Sequence, residues 1–132
     1  MPFEELTHTA DWALRVWAPD LPSLFKETAL GMNMLSGMKL VDGPREAVRF
    51  EASGPDHESL LVAFLTELVY YAEQEHMGFD TFEIHIDDSR LTVDMQGAPL
   101  SEIDKSIKAV TYHNLEIRPT ERGLEIEIVF DV

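Results

Sequence analysis

The segment DHESLLVAFLTELVYYAEQEHMG, residues 56–78, constrains the fold of this chain more than any other stretch. Leu60, Leu61, Phe64, Leu65, Leu68, Val69 and Ala72 recur at helical spacing as one broad apolar stripe, while Glu58, Thr66, Glu67 and Glu73 fall mostly elsewhere. Asp56 stands where an N-cap is needed, and Gly78 where a glycine would end the helix. A stripe that wide has to be covered, so this helix is expected to form the backbone of the core, with the rest of the chain supplying the surface that covers it.

That surface reads as sheet. Trp12, Leu14, Val16 and Ala18 alternate with Ala13, Arg15 and Trp17, the period of a strand with one buried face. The pattern then turns helical: Leu21, Leu24, Phe25, Thr28, Met32 and Leu35 share a face over residues 21–36, with Asp20 as N-cap, Pro22 in the first turn and Gly37 as the stop. EAVRFEAS (46–53) alternates again and ends at the turn residues GPD. Four further strands are expected over 81–87, 91–97, 106–117 and 123–132, joined by short turns as an antiparallel meander. In the third of these the alternation slips between Thr111 and Leu115, which predicts a bulge near Tyr112 or His113. The expected fold is α+β: two helices packed on a largely antiparallel sheet, in the order strand, helix, strand, helix and a four-strand meander, as a single domain over 1–132.

Charge and composition remove several functions. Ten basic against 25 acidic side chains give a net charge of −15, which repels a phosphate backbone and argues against direct nucleic-acid binding. The absence of cysteine excludes disulfides, thiolate zinc sites and cysteine nucleophiles. No basic leader and no run of roughly 20 apolar residues is present, so a soluble cytoplasmic protein is expected. Phosphate-binding glycine loops, G-x-S-x-G and H-E-x-x-H are all missing. A metal-dependent hydrolase acting on its own would need such a motif; RNA turnover by the isolated protein would distinguish it from an accessory protein.

Three clusters remain. His8 and Asp11, three apart in LTHTADWALRVWA, suit a metal site or an acid/base pair, and equally suit a polar turn leading into a strand. At the other end, Asp131 stands beside the carboxylate of Val132 with no lysine or arginine nearby in sequence. Together with Asp11 these would make an all-oxygen site suited to calcium or magnesium rather than zinc, whereas a frayed, solvated tail would leave them without a role. Lys108 would share a strand face with Val110 and Tyr112, either as a functional cation or as charge balance in an acidic protein. His57, His76 and His85 have no partner pattern, and Asp87 and Asp88 head a turn.

Three segments taken together change the weight of these clusters. FEELTHTADWALRVWAPDLPSLFKETALGM, IKAVTYHNLEI and the terminal VFDV resemble the archease family, in the same order and over nearly the whole chain. The resemblance implies a small non-catalytic accessory protein that activates an RtcB-type RNA ligase. That enzyme joins a 2′,3′-cyclic phosphate or 3′-phosphate end to a 5′-hydroxyl in tRNA splicing and RNA repair. Archeases promote guanylylation of the ligase histidine and its multiple turnover, and broaden its nucleotide use, so RNA would be met only through the ligase. The family's metal-binding carboxylates correspond to Asp11 and Asp131, with Val132 beside them and calcium as the expected cation, and its functional lysine corresponds to Lys108. His8 lies in the signature without a ligand role. The connection 98–107 is shorter than the family pattern and lacks its basic-histidine element, for which Lys105 is a partial substitute. The alternative implied by the same resemblance is a chaperone or specificity modulator of a tRNA methyltransferase.

Overall fold

A computed structural model describes residues 2–6 and 12–132. In chain order the elements are β1 (Phe3–Leu6), β2 (Trp12–Ala18), α1 (Leu21–Ser36), β3 (Lys39–Leu40), β4 (Glu46–Ser53), α2 (His57–Gln74), β5 (Met77–Asp87), β6 (Arg90–Glu102), β7 (Ala109–Val110), β8 (Arg118–Thr120) and β9 (Gly123–Asp131). The α+β class is as expected, and every strand pairing is antiparallel.

Both helices start as their sequences dictate. Asp20 accepts from the Ser23 N–H at 2.8 Å and Asp56 from the Ser59 N–H at 2.7 Å, each satisfying one amide that the first turn leaves without an intrahelical partner. Gly37 ends α1 in the left-handed region at φ 67°, with its N–H on the Met34 carbonyl. Gly78 does not end α2. Glu75 closes that helix by donating to the Tyr71 carbonyl, His76 takes the left-handed turn at φ 52°, and Gly78 lies buried inside β5.

Two links of the expected meander form, β5 with β6 and β7 with β9, but the link from β6 to 106–117 does not, and the strands divide between two sheets. β5 and β6 form a hairpin that joins β4 and β3 in a four-stranded sheet, with β6 central. β9 instead pairs with β2, which pairs with β1, while β7 and β8 flank the other side of β9. The two sheets and both helices bury one continuous core. Leu14, Val16, Ile126, Ile128 and Phe130 come from the five-stranded sheet, Leu91, Val93 and Met95 from β6, and Leu24, Phe25, Phe64 and Leu65 from the helices. Phe64 stacks on Phe25 at 6.4 Å and meets Phe82 edge-on at 5.6 Å, so α2 ties α1 to the four-stranded sheet.

The predicted third meander strand, 106–117, contributes only Ala109–Val110 to a ladder. Where the alternation slips, the chain leaves the sheet: Leu115 N–H closes a turn on the Tyr112 carbonyl and Asn114 is left-handed at φ 52°. The Ile117 N–H is taken by the Glu58 side chain from the first turn of α2, at 2.9 Å, in place of a strand partner. A register shift does occur, but in β5 between Phe79 and Thr81, where Asp80 turns out to meet Arg45 at 2.9 Å.

The outward face of the five-stranded sheet is organised by one arginine. Arg15 on β2 stands in register between Glu4 on β1 and Glu127 on β9, and donates to them at 2.9 and 2.7 Å. Hydrogen bonding to Glu127, and then to Glu4, raises the already high pKa of the guanidinium.

Candidate functional site

The candidate site is the corner where β2 begins and β9 ends. The ladder pairs Trp12 with Phe130, so the start of β2 and the end of β9 meet at one end of the five-stranded sheet. Phe130 is fully buried and Trp12 half-buried against the same core, which makes this end a rigid shelf. Asp131 follows Phe130 on the exposed side and is still paired, opposite Ala109. Val132 is half-buried and packs against the core rather than fraying away.

A strap formed by residues 103–108 crosses to this corner from the end of β6. It is anchored at three points. The N–H groups of Asp104 and Lys105 both donate to the Ser36 carbonyl at the C-terminus of α1, at 2.9 and 3.1 Å, which satisfies an acceptor the helix leaves open. Ile107 inserts into the core with 6% of its surface exposed. The Lys108 N–H then donates to the Asp131 carbonyl at 2.8 Å, and Thr111 N–H to the Val129 carbonyl at 3.0 Å. With Ile107 turned inward, Lys108 is left exposed at the edge beside Asp131.

Sequence reasoning named Lys105 as a partial substitute for a basic element but did not place it at this corner. Lys105 Nζ lies 5.6 Å above the Trp12 ring, a cation–π contact that joins the strap to the start of β2. Nothing local in the sequence links positions 12 and 105. The aromatic at the start of a strand and the lysine in a short connection were each visible, but their meeting depends on the strap's anchorage to Ser36. Glu58, which holds Ile117 behind the corner, was likewise legible only as a polar residue of the helix face.

Of the metal ligands expected from the sequence, Asp11 lies outside the described residues, as does His8 of the same signature. Asp131 and Val132 are at the corner, adjacent to Trp12 across the ladder through Phe130. Among the described residues no group of three or more histidine and acidic side chains is placed to hold a metal ion. Asp131 and the lysine expected to be functional, Lys108, are brought together, and His57, His76 and His85 lie on other elements. Nor is any helix among the described residues long and apolar enough to cross a membrane.

The comparison with known proteins places this geometry. Residues 3–132 match the model of the Archease protein family (MTH1598/TM1083). The chain belongs to the archease family. Protein archease of Methanopyrus kandleri is 32% identical over 141 residues, covering the whole of both chains, and protein archease of Methanosarcina barkeri is 32% identical over 140 residues, covering 98% of this chain and 95% of that one. The fold matches two solved structures. The solution structure of Methanobacterium thermoautotrophicum protein 1598 superposes with a TM-score of 0.72 at 24% identity, covering 99% of both chains. The crystal structure of a Thermotoga maritima archease, described as a possible chaperone, gives 0.71 at 20% identity, covering 98% of this chain and 96% of that one.

Proposed function

We propose that this archease is a non-catalytic accessory protein of an RtcB-type RNA-splicing ligase, acting in tRNA splicing and RNA repair by promoting guanylylation of the ligase and its multiple turnover. Family membership supports the partner class, and the observation that carries the choice of surface is the junction of Lys108 with Asp131 across β7 and β9. It fixes the backbone of a lysine beside that of an aspartate, with both residues exposed at a supported margin of the sheet.

Asp131, the Val132 carboxyl group and Asp11, one residue before Trp12 in sequence, form the donor set we assign to a divalent cation. The set fits calcium by its chemistry: all donors are hard oxygens, and Asp131 is exposed at the end of a paired strand, where a cation can reach it. A bound cation would add positive charge to the carboxylates of this corner. Lys108 supplies its own, on a backbone held by hydrogen bonding, and approaches the nucleotide's phosphates as the guanylyl group passes through its α-phosphorus to the ligase histidine and pyrophosphate leaves; positioned charge is most of what such a transfer requires. RNA is reached only through the ligase, since the net charge of −15 opposes a direct approach.

The test is single-turnover guanylylation of the ligase with and without this protein. Faster guanylylation is expected, and unchanged kinetics would overturn the proposal. A second reading, as a chaperone or specificity modulator of a tRNA methyltransferase, draws support from the possible-chaperone description of the Thermotoga relative. It would gain from protection of such an enzyme against aggregation with no effect on the ligase.

A further inference from the structure

The outward face of the five-stranded sheet carries a complete charge row, Glu4–Arg15–Glu127, in which an arginine bridges carboxylates on the strands to either side. The four-stranded sheet carries half of such a row. Arg49 on β4 donates to both carboxylate oxygens of Asp94 on β6, at 2.8 and 3.1 Å, and beyond Arg49 lies the edge of the sheet. Among the described residues β4 has no strand on that second side. Its eight residues pair with β6 from Glu46↔Gly97 to Ser53↔Arg90 without a register shift and without proline, so neither a bulge nor a proline blunts this edge, and its charges are left to set the pairing. On the inward side Val48, Phe50 and Ala52 are only half-buried at this edge.

The free edge of β4 is self-complementary. Along β6, the Pro99 carbonyl accepts from Val41 on the β4 side and the Leu100 N–H donates to His76 on the β5 side. Strand alternation therefore points the odd-numbered β6 residues at β4, where their ladder partners are Val48, Phe50 and Ala52. The N–H and C=O groups of Ala47, Arg49, Glu51 and Ser53 are left to face outward. A second copy added antiparallel about a two-fold axis must pair these odd positions with one another. Placing Arg49 opposite itself sets like charges together, and so does placing Glu51 opposite itself. The register between them puts Arg49 opposite Glu51 of the second copy, twice by symmetry, and Ala47 opposite Ser53. It also sets Phe50 against Phe50 and Val48 against Ala52 on the inward face, in the close, non-hydrogen-bonded pairs where side chains touch most.

We propose that β4 is a homodimer interface, closing two four-stranded sheets into one continuous eight-stranded sheet with Arg49 completing its row between Asp94 and Glu51 of the second copy. The contact is isologous, so it stops at two copies. Each copy carries −15, and long-range repulsion opposes the encounter until salt shortens the screening length, which is about 10 Å at 0.1 M.

Two charge reversals test this on the full chain. Glu51→Arg sets arginine against arginine, and Arg49→Glu sets glutamate against glutamate. Sedimentation equilibrium at moderate salt should show the unmodified protein approaching twice its chain mass in the high-micromolar range, and each variant remaining monomeric. An equimolar mixture of the two variants should recover the dimer, because every cross-copy pair is again opposite in charge. Melting of each variant by circular dichroism shows that it is folded, and recovery on mixing excludes misfolding as the cause of either monomer. An unmodified protein that stays monomeric throughout overturns the proposal, as does a dimer indifferent to both reversals. Protection of the Arg49 and Glu51 amides from exchange only when another protein is added would assign the edge to a foreign strand and overturn it equally.

Discussion

The main-chain N–H of Lys108 donates to the main-chain carbonyl of Asp131 at 2.8 Å, so the lysine is positioned by its backbone and its side chain is left out of the structural bond. Structure and activity are therefore separable at this residue. Lys108→Ala should melt within about 0.5 kcal/mol of the unmodified protein, as exposed substitutions do, and should lose on the order of 10²-fold in stimulated guanylylation if a positioned charge has been removed. Lys108→Pro removes the donated hydrogen and should lower both stability and stimulation. Melting curves and single-turnover rates on the two variants distinguish the roles, and full stimulation by Lys108→Ala would move the active surface elsewhere.

Calcium should raise the melting temperature and a chelator should return it, because an ion that binds only the folded chain stabilises it by mass action, by about 2.7 kcal/mol at 100 times Kd. Asp131→Asn and Asp11→Asn each remove one charged oxygen donor. Both variants should lose most of the calcium response while keeping their cation-free melting point. An unmodified protein whose melting does not respond to calcium would remove the cation from the proposal.

The helices were legible because their signals are local. Asp20, Asp56 and Gly37 act within one turn of their own helix, and each takes the role its sequence position announces. The meander broke at its middle link, between β6 and 106–117, because its evidence was local and its answer was not. Nothing within 106–117 reports that Glu58 will take the Ile117 N–H, or that this stretch will leave β6 and follow β9 into a second sheet with β2. Gly78 was misread for a related reason: His76 bears the left-handed turn, freeing the glycine for a buried strand position where a side chain would meet Met38 and Leu40. At the site, Lys108 and Asp131 were visible as candidates in the sequence and given roles by the resemblance, while their contact, and that of Lys105 with Trp12, are products of the strap.

Gly37 couples the end of α1 to that strap, and a substitution there should act at a distance. Its φ of 67° is costly for any residue with a Cβ, about 1 kcal/mol or more. An added Cβ would also collide with the carboxylate of Asp104, whose N–H is bonded to Ser36. Gly37→Ala should lower stability by about 1–2 kcal/mol and displace the strap, reducing stimulation although residue 37 is outside the proposed surface. Urea melts and guanylylation rates check both effects; stability loss with full stimulation would show that the corner does not depend on the strap's anchorage.

The two helix caps give the fold a defined acid limb. Hydrogen bonding from the Ser23 backbone N–H lowers the Asp20 pKa below the usual carboxylate value, and hydrogen bonding from Ser59 does the same for Asp56. A carboxyl whose folded pKa is depressed binds its proton more readily in the unfolded chain. Its contribution to stability is thus fully present above the unfolded pKa, near about 4, and is lost as pH falls through the lower folded value. Asn caps a helix about as well as Asp and does not titrate in this range. The double variant Asp20→Asn/Asp56→Asn should therefore resemble the unmodified protein at neutral pH and lose less stability between pH of about 5 and about 3. Urea melts across that range measure the difference, and acid limbs that coincide would show that the caps are not what the acid protonates first.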